Sequence, residues 1–203
     1  MLYQKGIAYT LRAMLLPLPG ANSKLRMAVY KAYSITWNTG KHCVLFLHVV
    51  RKGMKQRMKI GFSCDHTATD LKNALMEHVG SLGFETVDYG FCPDYPVAGY
   101  RTAKAVAANE CDLGIIICGT GAGISMAANK VKGIRAVNCS EPYTARLSRM
   151  HNDANILSLG ARVVGTELAK MIAEEFVKAQ FEGGRHARRV GIIADIENGV
   201  LPE

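Results

Sequence analysis

Residues Leu113 to Ala128 read LGIIICGTGAGISMAA. Leu113 to Ile117 is a hydrophobic run without alternation, the pattern of a strand buried on both faces. It stops at Cys118 and turns through Gly119, Thr120, Gly121, Ala122 and Gly123, and a helix begins near Ile124. The glycines permit a tight turn and let a ligand come close to the backbone. Free N–H groups at the start of the new helix favour an anion there. One thiol, Cys118, stands at the strand's end beside that electropositive turn.

The same rhythm continues on both sides of this stretch. Lys59 to Ser63 (KIGFS) reads as a first strand ending at Cys64-Asp65-His66. Thr67 or Thr69 is placed to cap a helix with Leu71, Leu75 and Val79 on one face. Gly83 closes that unit, Phe84 to Tyr89 forms a second strand, and Gly90 to Pro96 is a turn-rich loop. Tyr100 to Asn109 is a helix that leads to the central strand. Beyond it come a Ser125–Lys130 helix, a Gly133–Val137 strand, and a helix opened by Ser140-Glu141-Pro142 that ends before His151-Asn152-Asp153. Asn155 to Leu159 is a fifth strand and Thr166 to Gln180 a helix. After Gly183-Gly184 and the run RHARR, Val190 to Asn198 is read as helical.

Five strand–helix alternations at this spacing imply an α/β fold. The expectation is a doubly wound, Rossmann-like three-layer sandwich with a five-stranded parallel sheet. In such sheets ligands bind beyond the carboxyl ends of the strands. Cys64-Asp65-His66, Cys118-Gly119-Thr120 and Ser140-Glu141 fall at such ends, and His151 is expected on a loop that reaches the same rim.

Composition narrows the classes. With 49% hydrophobic residues the chain is neither disordered nor fibrous. No apolar run approaches the length of a membrane span, so no membrane association is expected and the location is read as cytoplasmic. The net charge of +8 divides unevenly: residues 1–60 hold 11 Lys/Arg and no acid, and the remainder is net acidic. The body of the protein therefore carries no nucleic-acid signal. Residues 1–57 are read as a basic N-terminal extension to a domain at 58–203. Three readings of it stay open: an upstream extension with the native start at Met54 or Met58, a targeting segment, or an accessory segment that packs on the body or binds an anion. Cys43, Cys64, Cys92, Cys111, Cys118 and Cys139 include no C-x-x-C pair and read as free thiols. No Cys/His cluster has ligand spacing, so no metal is expected.

The glycine turn is not a dinucleotide fingerprint. Its spacing is GxGxG, and the next strand ends in Val137-Asn138-Cys139 without an acid for a ribose. A P-loop is excluded, because no Lys-Ser/Thr follows the glycines. A smaller anion fits better, a sugar phosphate or a developing enediolate oxygen. In that setting Cys118 can serve as general base on a carbon acid while the loop amides hold the oxyanion; a buried core role is the alternative. His66 and His151 sit in polar contexts, with structural or capping roles open for either. His186 lies among Arg185, Arg188 and Arg189, a run that is either solvated surface or a phosphate clamp, and Arg162 is a further candidate.

These residues make the chain from Met58 to about Asn198 resemble the ribose-5-phosphate isomerase B family, which includes galactose-6-phosphate isomerase subunits and allose-6-phosphate isomerases. The matching pieces are CDH at Cys64–His66, DYP at Asp94–Pro96, ICGTGAGISMAANK at Ile117–Lys130 and GIRAV at Gly133–Val137. CSEPYTARLSRMHNDAN at Cys139–Asn155 and EGGRHARRV at Glu182–Val190 complete them. The resemblance implies a metal- and cofactor-independent aldose–ketose isomerase of small sugar phosphates. It also implies a homodimer or dimer of dimers with shared sites, the C-terminal helix packing on the partner. Carried over, Cys118 is the proton-transfer base, and Thr120 and His151 open the sugar ring. Asn152 and the amides of Gly119, Gly121 and Gly123 stabilise the enediolate, and Asp65 holds hydroxyls. His66, Arg185 and Arg189 are phosphate-side residues, with Arg162 serving longer sugars. The chain departs from the family pattern at Val97-Ala98-Gly99, where histidine-tyrosine commonly follows DYP, and in the 57-residue extension.

Overall fold

The computed structural model describes residues 57–200. The readings of the N-terminal extension, and of Cys43, lie outside the described residues. Strands and helices alternate as β1 (Lys59–Cys64), α1 (Thr69–Ser81), β2 (Glu85–Phe91), α2 (Tyr95–Ala107), β3 (Leu113–Cys118) and α3 (Ala122–Ala128). They continue as β4 (Ala136–Asn138), α4 (Pro142–Asn152), β5 (Ile156–Gly160), α5 (Thr166–Lys178) and α6 (Arg185–Glu197). The five strands form one sheet, all parallel, in the order β2-β1-β3-β5-β4. The doubly wound α/β fold expected from the sequence is therefore observed.

The order follows from the handedness of parallel crossovers. The chain steps from β1 outward to β2, then returns past β1 to β3, so right-handed connections put α1 and α2 on opposite faces. Side-chain alternation along β3 serves both layers. Leu113, Ile115 and Ile117 face the core under α1, α4 and α5, among Leu75, Ala145, Ile172 and Phe176. Ile116 and Cys118 face the core under α2 and α3, among Ala98, Val106 and Ile124. Each fully buried isoleucine contributes about 1.5–3 kcal/mol, which explains why β3 lacks polar residues. The reversal of winding leaves a crevice beyond the carboxyl ends of β1 and β3.

Several boundaries differ from the sequence reading. The α1 N-cap is Ala68 without a side-chain cap, because Thr67 is drawn to Asp65 instead: its N–H and hydroxyl donate to Asp65 Oδ1 at 2.8 and 2.6 Å. α2 starts at Tyr95, with Pro96 in its first turn, rather than at Tyr100. Glu141 caps α4 by accepting the Thr144 N–H at 2.8 Å, and that helix runs on through Asn152 to a left-handed Asp153. α6 begins at Arg185, five residues earlier than read, because Gly183 and Gly184 at positive φ end the preceding segment.

Candidate active site

The sheet's carboxyl rim carries the glycine loop. Cys118 is the last residue of β3, 4% exposed, and its sulfur accepts the Gly121 N–H at 3.2 Å. Thr120 is exposed at the same turn. Asp65, nearly buried, follows β1 and is tied to the neighbouring strand by its N–H on the Ile117 carbonyl at 3.1 Å. His66 comes next, exposed. Arg162 donates its backbone N–H to the Gly119 carbonyl at 3.0 Å, and its Cδ lies 3.8 Å from where a Gly119 side chain would begin. The structure thus gathers Cys118, Gly119, Thr120, Gly121, Gly123, Asp65, His66 and Arg162 on one rim.

His151 and Asn152 are not on that rim. Both belong to the last turn of α4, which runs antiparallel to the strands and ends at their amino edge. There Arg135, just before β4, donates its Nε–H to the Asn152 and Asp153 carbonyls at 3.1 and 2.9 Å. Asp153 also pairs with Arg135 and Arg149 at 2.8 and 2.7 Å, which pins this corner. The expectation that His151 sits on a loop reaching the Cys118 rim is corrected: within the chain the two lie at opposite ends of the sheet. The physical reason is connectivity, because a helix between two parallel strands must carry the chain back to where the next strand starts.

A second cluster forms at that amino edge. The His151 and His186 rings stack in parallel, 4.2 Å between centroids. Glu182 Oε2 lies 3.7 Å from His151 Nε2 and 3.6 Å from His186 Nε2. The Arg185 Nε–H donates to His186 Nε2 at 3.3 Å, and Arg189 follows Arg185 by one helical turn on α6. Burial, with the nearby His151 and Arg185 charges, holds the His186 imidazole below its ordinary pKa. His151, Glu182 and His186 have ligand atoms within 4.8 Å of one another, a metal-capable group assembled by the fold and invisible in sequence spacing. Its rings are parallel, so their in-plane lone pairs do not converge on one ion, and Arg185 already occupies His186 Nε2. A cationic, donor-rich edge of this kind suits an anion.

Two residues of the site went unassigned in sequence. Tyr95 places its ring against the glycine loop, its Cε2 2.7 Å from where a Gly123 Cβ would stand. Glu182 brings a carboxylate oxygen within 3.7 Å of both histidines. Each sits in a quoted motif, DYP and EGGRHARRV, which was the available signal.

The profile of the family described as Ribose/Galactose Isomerase matches residues 60–193. The chain belongs to that family. Among its relatives, ribose-5-phosphate isomerase B of Escherichia coli (strain K12) is 54% identical over 143 residues, 68% of this chain and 96% of that protein. D-erythrulose-4-phosphate isomerase of Pectobacterium atrosepticum is 39% identical over 146 residues, 70% of this chain and 96% of that protein. The crystal structure of ribose-5-phosphate isomerase B from Mycoplasma genitalium with bound ribulose-5-phosphate matches with a TM-score of 0.66 at 43% identity, over 70% of this chain and 97% of that one. For this Ribose/Galactose Isomerase family member, no helix among the described residues is long and apolar enough to cross a membrane.

Proposed function

We propose that this chain is an aldose–ketose isomerase of small sugar phosphates, with ribose 5-phosphate and ribulose 5-phosphate as its pair. The observation that carries the reading is the Cys118 sulfur at the end of β3, already receiving the Gly121 N–H inside a glycine turn at the β1/β3 crevice. The 54% identity to a ribose-5-phosphate isomerase B supports the substrate choice.

In this mechanism Thr120 and His151 open the sugar ring. The Cys118 thiolate then takes the C2 proton, and the electron pair moves onto the C1 carbonyl oxygen to give a cis-enediolate. Backbone N–H groups of the Gly119–Gly123 loop that do not face the sulfur, with the Asn152 amide, hold the negative oxygen. The Cys118 thiol returns the proton to C1, a proton passes from O2 to O1, and the ketose forms without a cofactor. Asp65 holds hydroxyls, and Arg185, Arg189 and His66 hold the phosphate by charge-assisted bonds.

Because the cysteine rim and the histidine–arginine edge lie at opposite ends of one subunit, a working site takes one from each of two copies. A homodimer or dimer of dimers supplies this arrangement. α6 offers a surface for it, burying His186 while Ile193 and Ile196 stay exposed. The other substrates to weigh are an allose or galactose 6-phosphate and a tetrose 4-phosphate, the last favoured by the D-erythrulose-4-phosphate isomerase relative. A subunit of a hetero-oligomeric isomerase that lacks activity alone is disfavoured by the presence of both Cys118 and His151. Parallel assay of C4, C5 and C6 aldose phosphates on the isolated protein is expected to rank ribose 5-phosphate first. Cys118→Ala is expected to lower kcat by at least about 10³-fold on that sugar; wild-type turnover in the variant would remove Cys118 from the role of base.

A further inference from the structure

Two polar side chains hold the glycine loop from beneath and take no part in the chemistry above. Asn138 ends β4, and Ser158 is its register partner on β5. Ser158 is fully buried, and its hydroxyl donates to the Gly121 carbonyl at 2.6 Å. Asn138 Nδ2–H donates to the Thr120 carbonyl at 3.3 Å. These carbonyls belong to successive peptide groups. A trans peptide is planar and sets its N–H opposite its C=O. With the Thr120 carbonyl turned onto Asn138, the Gly121 N–H faces the other way and meets the Cys118 sulfur at 3.2 Å. With the Gly121 carbonyl turned onto Ser158, the Ala122 N–H is aimed at Thr120 Oγ1 at 3.4 Å. Gly160 lets the Thr120 backbone lie directly on the end of β5: a Cβ there would stand 2.7 Å from the Thr120 carbonyl.

We propose that Asn138 and Ser158 are positioning residues that lock two consecutive peptides, so that the Gly121 N–H is held on the sulfur of Cys118. The assignment rests on Cys118 as the base. An N–H donated to sulfur favours the charged form. A peptide free to flip would turn the Thr120 carbonyl towards the sulfur, and its oxygen would disfavour the same charge. Donors held in place before the reaction need no reorganisation during it. The lock therefore acts on turnover, and sugar binding is left to other groups.

The test reads the sulfur directly. Asn138→Val removes the amide donor without adding charge, and Ser158→Ala removes the hydroxyl. Alkylation of Cys118 by iodoacetamide is followed by mass spectrometry of the peptide that contains it. Cys64, Cys111 and Cys139 are held above the ordinary thiol pKa by burial, Cys139 to about 11, and react slowly. Each variant is expected to slow Cys118 alkylation about three- to tenfold and to lower kcat by a similar factor, with KM within about twofold. Ser158→Thr, which keeps the hydroxyl, is expected to keep the wild-type alkylation rate. Should Ser158→Ala fail to fold, Asn138→Val, at an exposed strand end, carries the test alone. Unchanged alkylation in the folded variants overturns the proposal whatever their activity. A fully active Cys118→Ala would overturn the base reading separately.

Discussion

An alanine at Gly121 would place its Cβ 2.2 Å from Asn138 Oδ1 and 2.9 Å from the Leu159 carbonyl carbon, on a backbone at φ +81°. Neither obstacle is a free side-chain tip, since Asn138 is engaged with Thr120 and Leu159 is strand backbone. Gly121→Ala is therefore expected to cost about 1–3 kcal/mol of stability through strain. Kinetically it should lower kcat by at least about 10²-fold through displacement of the loop N–H groups. Thermal melting and steady-state kinetics check both. Gly123 differs in kind: what a Cβ would meet there is the Tyr95 ring, 43% exposed and able to swing outward. The two glycines look alike in the sequence, but only Gly121 is held between a bonded side chain and the sheet.

The pairing of α4 with α6 makes the amino edge of the sheet sensitive to acid. His186 faces His151 from α4, Glu182 from the preceding segment, and Arg185 and Arg189 from its own helix. Burial and the surrounding positive groups depress its pKa in the folded state, while the unfolded chain titrates near the ordinary value of about 6.5. As pH falls through that value the unfolded state takes up the proton first, so stability decreases on acidification until the folded state also titrates. The wild-type melting temperature is thus expected to drop more steeply between about pH 7.5 and 5.5 than that of His186→Gln. Parallel slopes for the two proteins would mean that this pair of helices does not couple His186 to stability.

The sheet's direction separates the two halves of the proposed chemistry. β5 alone spans about 16 Å at the usual rise per residue, with the thiol at one end of the layer and His151 at the other. Cys118→Ala and His151→Ala should each be inactive as pure proteins yet complement one another after co-refolding. With random exchange, half the dimers are mixed and each contains one intact site, so recovery approaches about a quarter of wild-type activity. Absence of recovery, with mixed oligomers demonstrated by mass, would show that one subunit completes the site alone.

Amino-acid order by itself determined the layered α/β fold, because five short apolar runs alternating with helical periodicity leave only a parallel sheet covered on both sides. It also determined the cysteine rim, since Cys118, Thr120 and the loop glycines are contiguous and their geometry is local. Helix starts were less legible: Thr67 bonds Asp65 instead of capping α1, and local spacing does not tell these partners apart. Three matters rested on the folded arrangement. His151 and His186, 35 residues apart, stack only because α6 packs on α4. Asn138 and Ser158 reach the loop only because β4 and β5 lie side by side in register. The separation of His151 from Cys118 is set by strand direction, which spacing along the chain does not encode: contacts between distant segments are fixed by how the layers pack.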